Sequence, residues 1–230
     1  MRINKYLSES GVCSRRKADE LIDQGVVEIN GELATKGSQV EPEDDVCVNG
    51  KSVTGKEKNI YIAFNKPIGV ECTTNLTVKD NIISYINYPE RIFPVGRLDK
   101  NSEGLILLTN DGDLSNEILK ARHYHEKEYI VTVDHRVSDE FLEKMRTGVE
   151  ILETITRPCE VEIVRSNMFK IILTQGLNRQ IRRMCEALEY KVVKLRRVRI
   201  INIEIGDLEK GEWRYLSADE LKRLKTMVKK

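Results

Sequence analysis

Apolar positions change their spacing repeatedly along this chain, and each change marks an element. In "INKYLSES" (3–10), Ile3, Tyr6 and Leu7 share one side, which predicts a short amphipathic helix stopped by Gly11. Ser14 can cap a second helix, "RRKADELID" (15–23), whose Ala18, Leu21 and Ile22 follow helical spacing up to Gly25. "VVEIN-GE-LATKGSQV" (26–40) reads as strand, Asn-Gly turn and strand, and "DVCVNGKSV" (45–53) repeats the pattern. Residues 1–53 therefore predict a compact module of two helices and small hairpins, and the polar "TGKEKN" (54–59) predicts a linker.

Residues 60–230 read as a second domain. "IYIAFNKP" (60–67) is a strand broken by Pro67, "LILLTN" (105–110) a buried strand, and "KEYIVTVD" (127–134) sets Tyr129, Val131 and Val133 on one side. "CEVEIVRSNMFKIILTQ" (159–175) predicts a hairpin turning near Ser166 and Asn167. Helices are predicted in "LSNEILKA" (114–121), "SDEFLEKMRTG" (138–148), "NRQIRRMCEALEY" (178–190) and "SADELKRLKTMV" (217–228). The last opens on a capping-box pair, Ser217 and Glu220. Strands without regular helix alternation predict an α+β domain with a mixed, mainly antiparallel sheet flanked by helices.

The balance of 38 Lys and Arg against 37 Asp and Glu, a net charge of +1, points to no partner by itself. Distribution changes the picture. Eight basic residues fall between Arg179 and Arg199, against Glu186 and Glu189, and Arg15, Arg16 and Lys17 open the second helix. Both clusters suit a polyanion as well as they suit a solvated surface. The five scattered cysteines lack zinc spacing and fit free thiols in a reducing compartment. "HYHE" (123–126) is too short and solitary for a metal site. With no signal-length or membrane-length apolar run, a cytoplasmic protein is expected.

Candidate chemistry gathers around "GRLDKNSEGLILLTNDG" (96–112). The apolar run after it anchors the loop to the core, so Asp99 is held in position, as acid–base or covalent work requires. Read alone, it fits a structural carboxylate satisfying loop amides better. Glu103 raises a paired-carboxylate hydrolase. On the predicted helix 178–190, Arg182 falls at the edge of the apolar face of Ile181, Met184, Cys185 and Leu188. A guanidinium there needs a partner, and Asp99 is a natural one; a surface role is the alternative. Tyr129 is either core packing or a stacking platform in a cleft.

Two resemblances bear on these alternatives. "INKYLSESGVCSRRKADELIDQGVVEINGE" resembles an S4 RNA-binding module. "FNKPIGV" (64–70), "FPVGRLDKNSEGLILLTNDGDL" (93–114), "KEYIVTVD" (127–134) and "GLNRQIRRMCEALEYKVVKLRRVRI" (176–200) resemble the RsuA/RluB/RluE/RluF family of ribosomal RNA pseudouridine synthases. The segments are most similar to the RluF type, which acts on large-subunit 23S rRNA. The resemblance implies an isomerase that flips out a uridine and rejoins its base through C5, without metal or cofactor. It implies Asp99 as the essential aspartate, Tyr129 as the base-stacking tyrosine and Arg182 as the basic partner of the aspartate. The resemblance likewise implies that Ile181 closes the pocket and that Arg97 helps extrude the nucleotide. Arg15, Arg16, Lys17, Arg179, Arg183, Arg196 and Arg197 are expected to hold rRNA phosphates. A monomer suffices for this reading, with no membrane partner. The open alternatives are a small-subunit rRNA or tRNA substrate, and a non-catalytic S4-type assembly factor.

Overall fold

The computed structural model describes residues 1–53, 55, 58–120 and 123–229. The predicted linker residues Thr54, Lys56 and Glu57, the predicted helix end Ala121, and Lys230 lie outside the described residues. The chain divides into two compact units. One comprises Met1–Asn59 with Pro89–Arg91 and Asn110–Gly112, and the other takes the remaining chain from Ile60 onward.

In the first unit, α1 (Ile3–Glu9) and α2 (Arg15–Asp23) precede β1 (Val27–Ile29), β2 (Glu32–Leu33), β3 (Val46–Val48) and β4 (Lys51–Ser52). The Ser14 side chain accepts from the Lys17 N–H and caps α2, as its position predicts. The strands form an antiparallel sheet in the order β2-β1-β3-β4. Asn30-Gly31 and Asn49-Gly50 close its two hairpins with φ positive at all four residues, a backbone whose twist matches the flanking strands. Ile3, Leu7, Ala18 and Ile22 pack on Val27 and Val46. The strand expected over 33–40 is mostly absent. The Thr35 N–H donates to the Ser38 hydroxyl and the Ser38 N–H to the Thr35 carbonyl, so a local turn displaces strand pairing after Leu33.

The second unit runs β5 (Tyr61–Lys66), α3 (Ile82–Ile86), β6 (Phe93–Val95), β7 (Glu103–Thr109), α4 (Gly112–Leu119), β8 (Lys127–Val133) and α5 (Asp139–Thr147). There follow β9 (Glu150–Ile151), β10 (Thr154–Ile155), β11 (Glu160–Arg165), β12 (Met168–Leu173), α6 (Gln180–Ala187), β13 (Val192–Ile200), β14 (Ile203–Glu204), β15 (Trp213–Tyr215) and α7 (Ala218–Met227). Among the described residues a nine-stranded sheet has the order β11-β12-β8-β13-β7-β5-β15, with β14 on β13 and β6 on β7. The β13–β7 pair is parallel and the other described pairs of this sheet are antiparallel. Among the described residues no helix is long and apolar enough to cross a membrane.

The unbroken apolar run of β7 has a simple cause. Leu105 and Leu107 face Leu114 and Ile118 of α4 and Leu224 of α7, while Ile106 and Leu108 face Phe64 and Ile82. A strand buried on both faces shows no alternation. Each fully buried Leu or Ile adds about 2 kcal/mol, so the run fixes β7 as the least movable strand. A third cluster packs Phe141 and Met145 of α5 and Ile181, Met184 and Cys185 of α6 against Val131, Phe169 and Leu195.

Helix α6 is shorter than the periodicity of 178–190 predicts. Arg179 is left-handed at φ 50°, and the Gln180 side chain accepts from the Leu177 N–H across that turn. At the other end Glu189 is left-handed and the Tyr190 N–H returns to the Cys185 carbonyl. In α7 the expected capping box between Ser217 and Glu220 is formed.

Where β7 and β13 run side by side, Gly104 pairs with Arg197 at φ 105°. A Cβ at Gly104 would be driven into the Arg197 carbonyl oxygen and amide nitrogen. Gly104→Ala should therefore cost about 3 kcal/mol or prevent folding. Gly112→Ala, where a Cβ meets open space, should stay within about 0.5 kcal/mol of the parent. Urea unfolding of the two variants beside the parent checks both.

Candidate active site

Asp99 lies in the loop between β6 and β7. That loop is tied at several points: the Leu98 N–H donates to Cys72 Sγ at 3.3 Å, the Gly69 N–H to the Lys100 carbonyl, and the Ser102 N–H to the Asp99 carbonyl. The side chain of Asp99 remains 37% exposed, so it is fixed at its base and open at its tip.

Arg182, on the first turn of α6, brings its Nε to 3.6 Å from Asp99 Oδ2. Its Nη2 donates to the Asn101 carbonyl at 3.0 Å and the Ser102 hydroxyl at 3.2 Å, and Nη1 to the Val192 carbonyl at 3.4 Å. Three protein oxygens thus hold the guanidinium, and its remaining edge faces the carboxylate. The partnership expected from the helical pattern is present as an ion pair without a hydrogen bond.

Both residues border a cavity of about 270 Å³, which Tyr129 and Ile181 also line. Tyr129 comes from β8 and touches two core clusters, and Ile181 is buried beside Arg182 on α6. Arg97 is exposed at the rim, where this cavity and a groove of about 600 Å³ share Arg97, Asp99 and Arg179. Three separate stretches of sequence therefore meet at one carboxylate. Arg15, Arg16 and Lys17 are exposed on α2 of the first unit, with Lys17 paired to Glu20 at 2.9 Å.

Several expectations need correction. Arg197, expected on a phosphate-facing surface, is 3% exposed: its Nε donates to the Leu105 carbonyl at 2.7 Å, and it lines the cavity. The parallel contact with β7 covers it. Arg183 is half-buried and turns back to the Asn178 carbonyl and side chain, bracing the loop before α6. Arg196 is half-buried as well, with its Nε sequestered from solvent. Glu103 is no second active carboxylate. It is 1% exposed on β7, outside the cavity wall, and paired to Lys194 at 3.1 Å and Lys210 at 2.9 Å.

Lys127 escaped the sequence reading, and Arg197 reads there as a surface cation and not as a cavity residue. Lys127 sits two positions before Tyr129, so β alternation places both on one face, a signal "KEY" already contained. The basic neighbourhood of Arg197 suggests a surface and conceals the burial. Lys66, which the sequence did not single out, is fully buried. Its Nζ donates to the Pro67 and Val70 carbonyls, and burial lowers its pKa.

Comparison with known proteins bears directly on this arrangement. Residues 60–187 match the RNA pseudouridylate synthase family, and residues 1–46 match the S4 domain. The chain belongs to the RNA pseudouridine synthase family. It is 53% identical to the dual-specificity RNA pseudouridine synthase RluF of Escherichia coli O6:H1, over 96% of this chain and 77% of that protein. It is 34% identical to the ribosomal large subunit pseudouridine synthase B of Bacillus subtilis, over 99% of this chain and 96% of that one. A crystal structure of a pseudouridylate synthase superposes with a TM-score of 0.73 at 31% identity, covering 97% of this chain and 99% of that one. Members of this family isomerise uridine in RNA, and the α+β fold with its S4 start is the family's.

Glu103 now has a structural role. Burial alone would raise its pKa, but the Lys210 and Lys194 ammonium groups outweigh burial and hold it below the ordinary glutamate value. A depressed carboxylate stabilises the fold above its unfolded pKa, and that contribution fades as pH falls through the folded value. Glu103→Gln should lower stability at neutral pH by about 1–3 kcal/mol, the half-exposed lysines keeping the loss modest. The deficit should shrink below about pH 4 in melts recorded across pH, with pseudouridine formation retained at permissive temperature.

Proposed function

We propose that this synthase converts a uridine of large-subunit 23S rRNA to pseudouridine, with Asp99 as the group that breaks and rejoins the base–sugar bond. The observation that carries this reading is the Asp99–Arg182 ion pair at the mouth of a cavity walled by Tyr129 and Ile181. A carboxylate held beside a fixed guanidinium is kept in position for work as a nucleophile or base. Asp99 then adds to C1′ or to C6 of the base, or removes a sugar proton to give a glycal; all three routes use the same geometry. Tyr129 stacks on the extruded base, Ile181 helps prevent its escape, and Arg97 at the rim assists extrusion. The similarity to an enzyme named for the ribosomal large subunit supports the rRNA substrate. The dual specificity in the name of the RluF relatives supports more than one RNA target.

RNA enters through the open groove, where Arg97 and Arg179 stand ready for phosphates, Lys100 being paired with Glu71 and Asp80. Arg15, Arg16 and Lys17 supply the S4 contribution, and Arg183 and Arg196 keep a secondary share through their partly exposed groups. We place the protein in the cytoplasm as a monomer acting on free or assembling rRNA. A hydrolase with paired carboxylates is disfavoured, because Glu103 is engaged by two lysines away from the cavity.

Two measurements test this reading. With C5-tritiated uridine in rRNA, the wild type should release label, whereas Asp99→Asn should lose at least about 10⁴-fold in rate while binding RNA within a few-fold. Label release by Asp99→Asn at the wild-type rate would remove Asp99 from the chemistry. RNA affinity should fall by about 10³-fold or more between about 50 and 200 mM salt if six or more phosphates are contacted. A flat salt response would contradict the phosphate grip.

A further inference from the structure

We propose that Lys127 and Arg197 hold the uracil as its anion while it is detached from the sugar. This rests on the functional reading above and adds two residues that touch the reacting base. Both line the inner cavity and neither lines the outer groove, whereas Asp99 borders both. A nucleotide whose C1′ lies against Asp99 with its base inward therefore meets them with the base edge. Its phosphates remain at the rim with Arg97 and Arg179.

What sets these two cations apart is a place in the cavity wall together with the lack of a carboxylate. Among the described residues of the same two strands, Lys194 is neutralised by Glu103 and Arg199 by Glu126 and Glu128 at 3.0 Å, while Arg196, which also has no carboxylate, lies outside the cavity lining. Lys127 reaches only the His125 carbonyl, at 3.4 Å. Arg197 donates Nε to the Leu105 carbonyl, faces the Tyr129 ring at 6.0 Å, and keeps a buried Nη2 without an acceptor. A buried guanidinium edge left unsatisfied is costly, and a ligand with electron-rich oxygens would relieve it. Uracil offers two carbonyls at that depth.

The chemistry needs such a pair. When C1′–N1 breaks with both electrons going to the base, the negative charge spreads over N1, O2 and O4. The base turns, C5 bonds to C1′, the C5 proton leaves, and N1 takes up a proton. Atoms balance within the isomerisation, with no further reactant. Donors placed where the charge develops favour the cleaved state over the intact nucleotide.

Titration supplies a readout. Burial, and then the charge of Arg197, lowers the Lys127 pKa to about 8. Tyr129 follows it on β8, His125 lies two residues before it, and Arg197 comes from β13, while Arg97, Lys120, Arg179, Arg182 and Asp99 border the same cavity. Holding an anion requires the protonated lysine, so activity is present below this pKa and lost as pH rises through it.

The test measures pseudouridine formation on rRNA from neutral pH to about pH 10 by wild type, Lys127→Met and Lys127→Arg, with RNA affinity and melting temperature recorded alongside. Wild-type kcat/KM should fall about tenfold per pH unit above about pH 8. Lys127→Met should lose about 100-fold in kcat, bind RNA within about twofold, and show no fall near pH 8. Lys127→Arg should keep most of kcat and move the fall above the lysine range. Lys127→Met with wild-type kcat, or either folded variant with the wild-type alkaline fall, overturns the proposal. If Lys127→Met does not fold, Lys127→Arg decides alone by the position of its alkaline fall. A wild type that forms no pseudouridine on any RNA overturns the functional reading itself, and the proposal with it.

Discussion

Arg182 is bonded to the Asn101 carbonyl and the Ser102 hydroxyl, two oxygens of the segment that carries Asp99, and to the Val192 carbonyl at the start of β13. The rest of the site depends on this bracket. A guanidinium is planar, permanently charged and rich in donors, so it can satisfy three fixed oxygens and still offer an edge to a carboxylate. A lysine in its place would have one ammonium to divide among the same acceptors. The bracket ties α6 to the β6–β7 loop, and β7 is buried on both faces, so the carboxylate inherits the rigidity of the sheet. Its tip stays open to the groove.

Much of this was legible as pattern. The two Asn-Gly pairs close hairpins because only left-handed residues match the strand twist, and the two-faced apolar run 105–108 reports a strand between helices. The position of Arg182 at the edge of an apolar helix face was informative for the same reason, since a charge at such a boundary needs a partner. Legibility ends where a side chain's surroundings come from distant segments. Glu103 reads as a free carboxylate near Asp99 until Lys194 and Lys210 arrive from 91 and 107 residues further along the chain. Arg197 reads as one more surface base until the parallel strand β7 covers it. The end of the strand after Leu33 and the left-handed turn at Arg179 depend on single side-chain hydrogen bonds, which periodicity cannot register.

A net charge of +1 hides the most informative division in the molecule, which is between cations that have carboxylates and cations that do not. Arg196 aside, the division on β13 and β8 follows place in the sheet. Lys194 and Arg199 serve the fold through Glu103, Glu126 and Glu128. Arg197 and Lys127 face the cavity with carbonyl oxygens and an aromatic ring for company.

A fold selected for stability alone would not keep two cations at close quarters in a buried wall, because burial and mutual repulsion both oppose their charges. The downward push on Lys127 by burial and Arg197 is that opposition expressed as a titration. Such a wall persists when its discomfort is relieved by what enters the cavity, and relief is greatest for a guest whose negative charge grows during the reaction. The intact uridine is neutral and relieves it little; the detached base relieves it most. Asp99 and Arg182 form a balanced pair at the mouth while the interior stays electropositive, so the cavity is polarised along the axis on which a base–sugar bond would break.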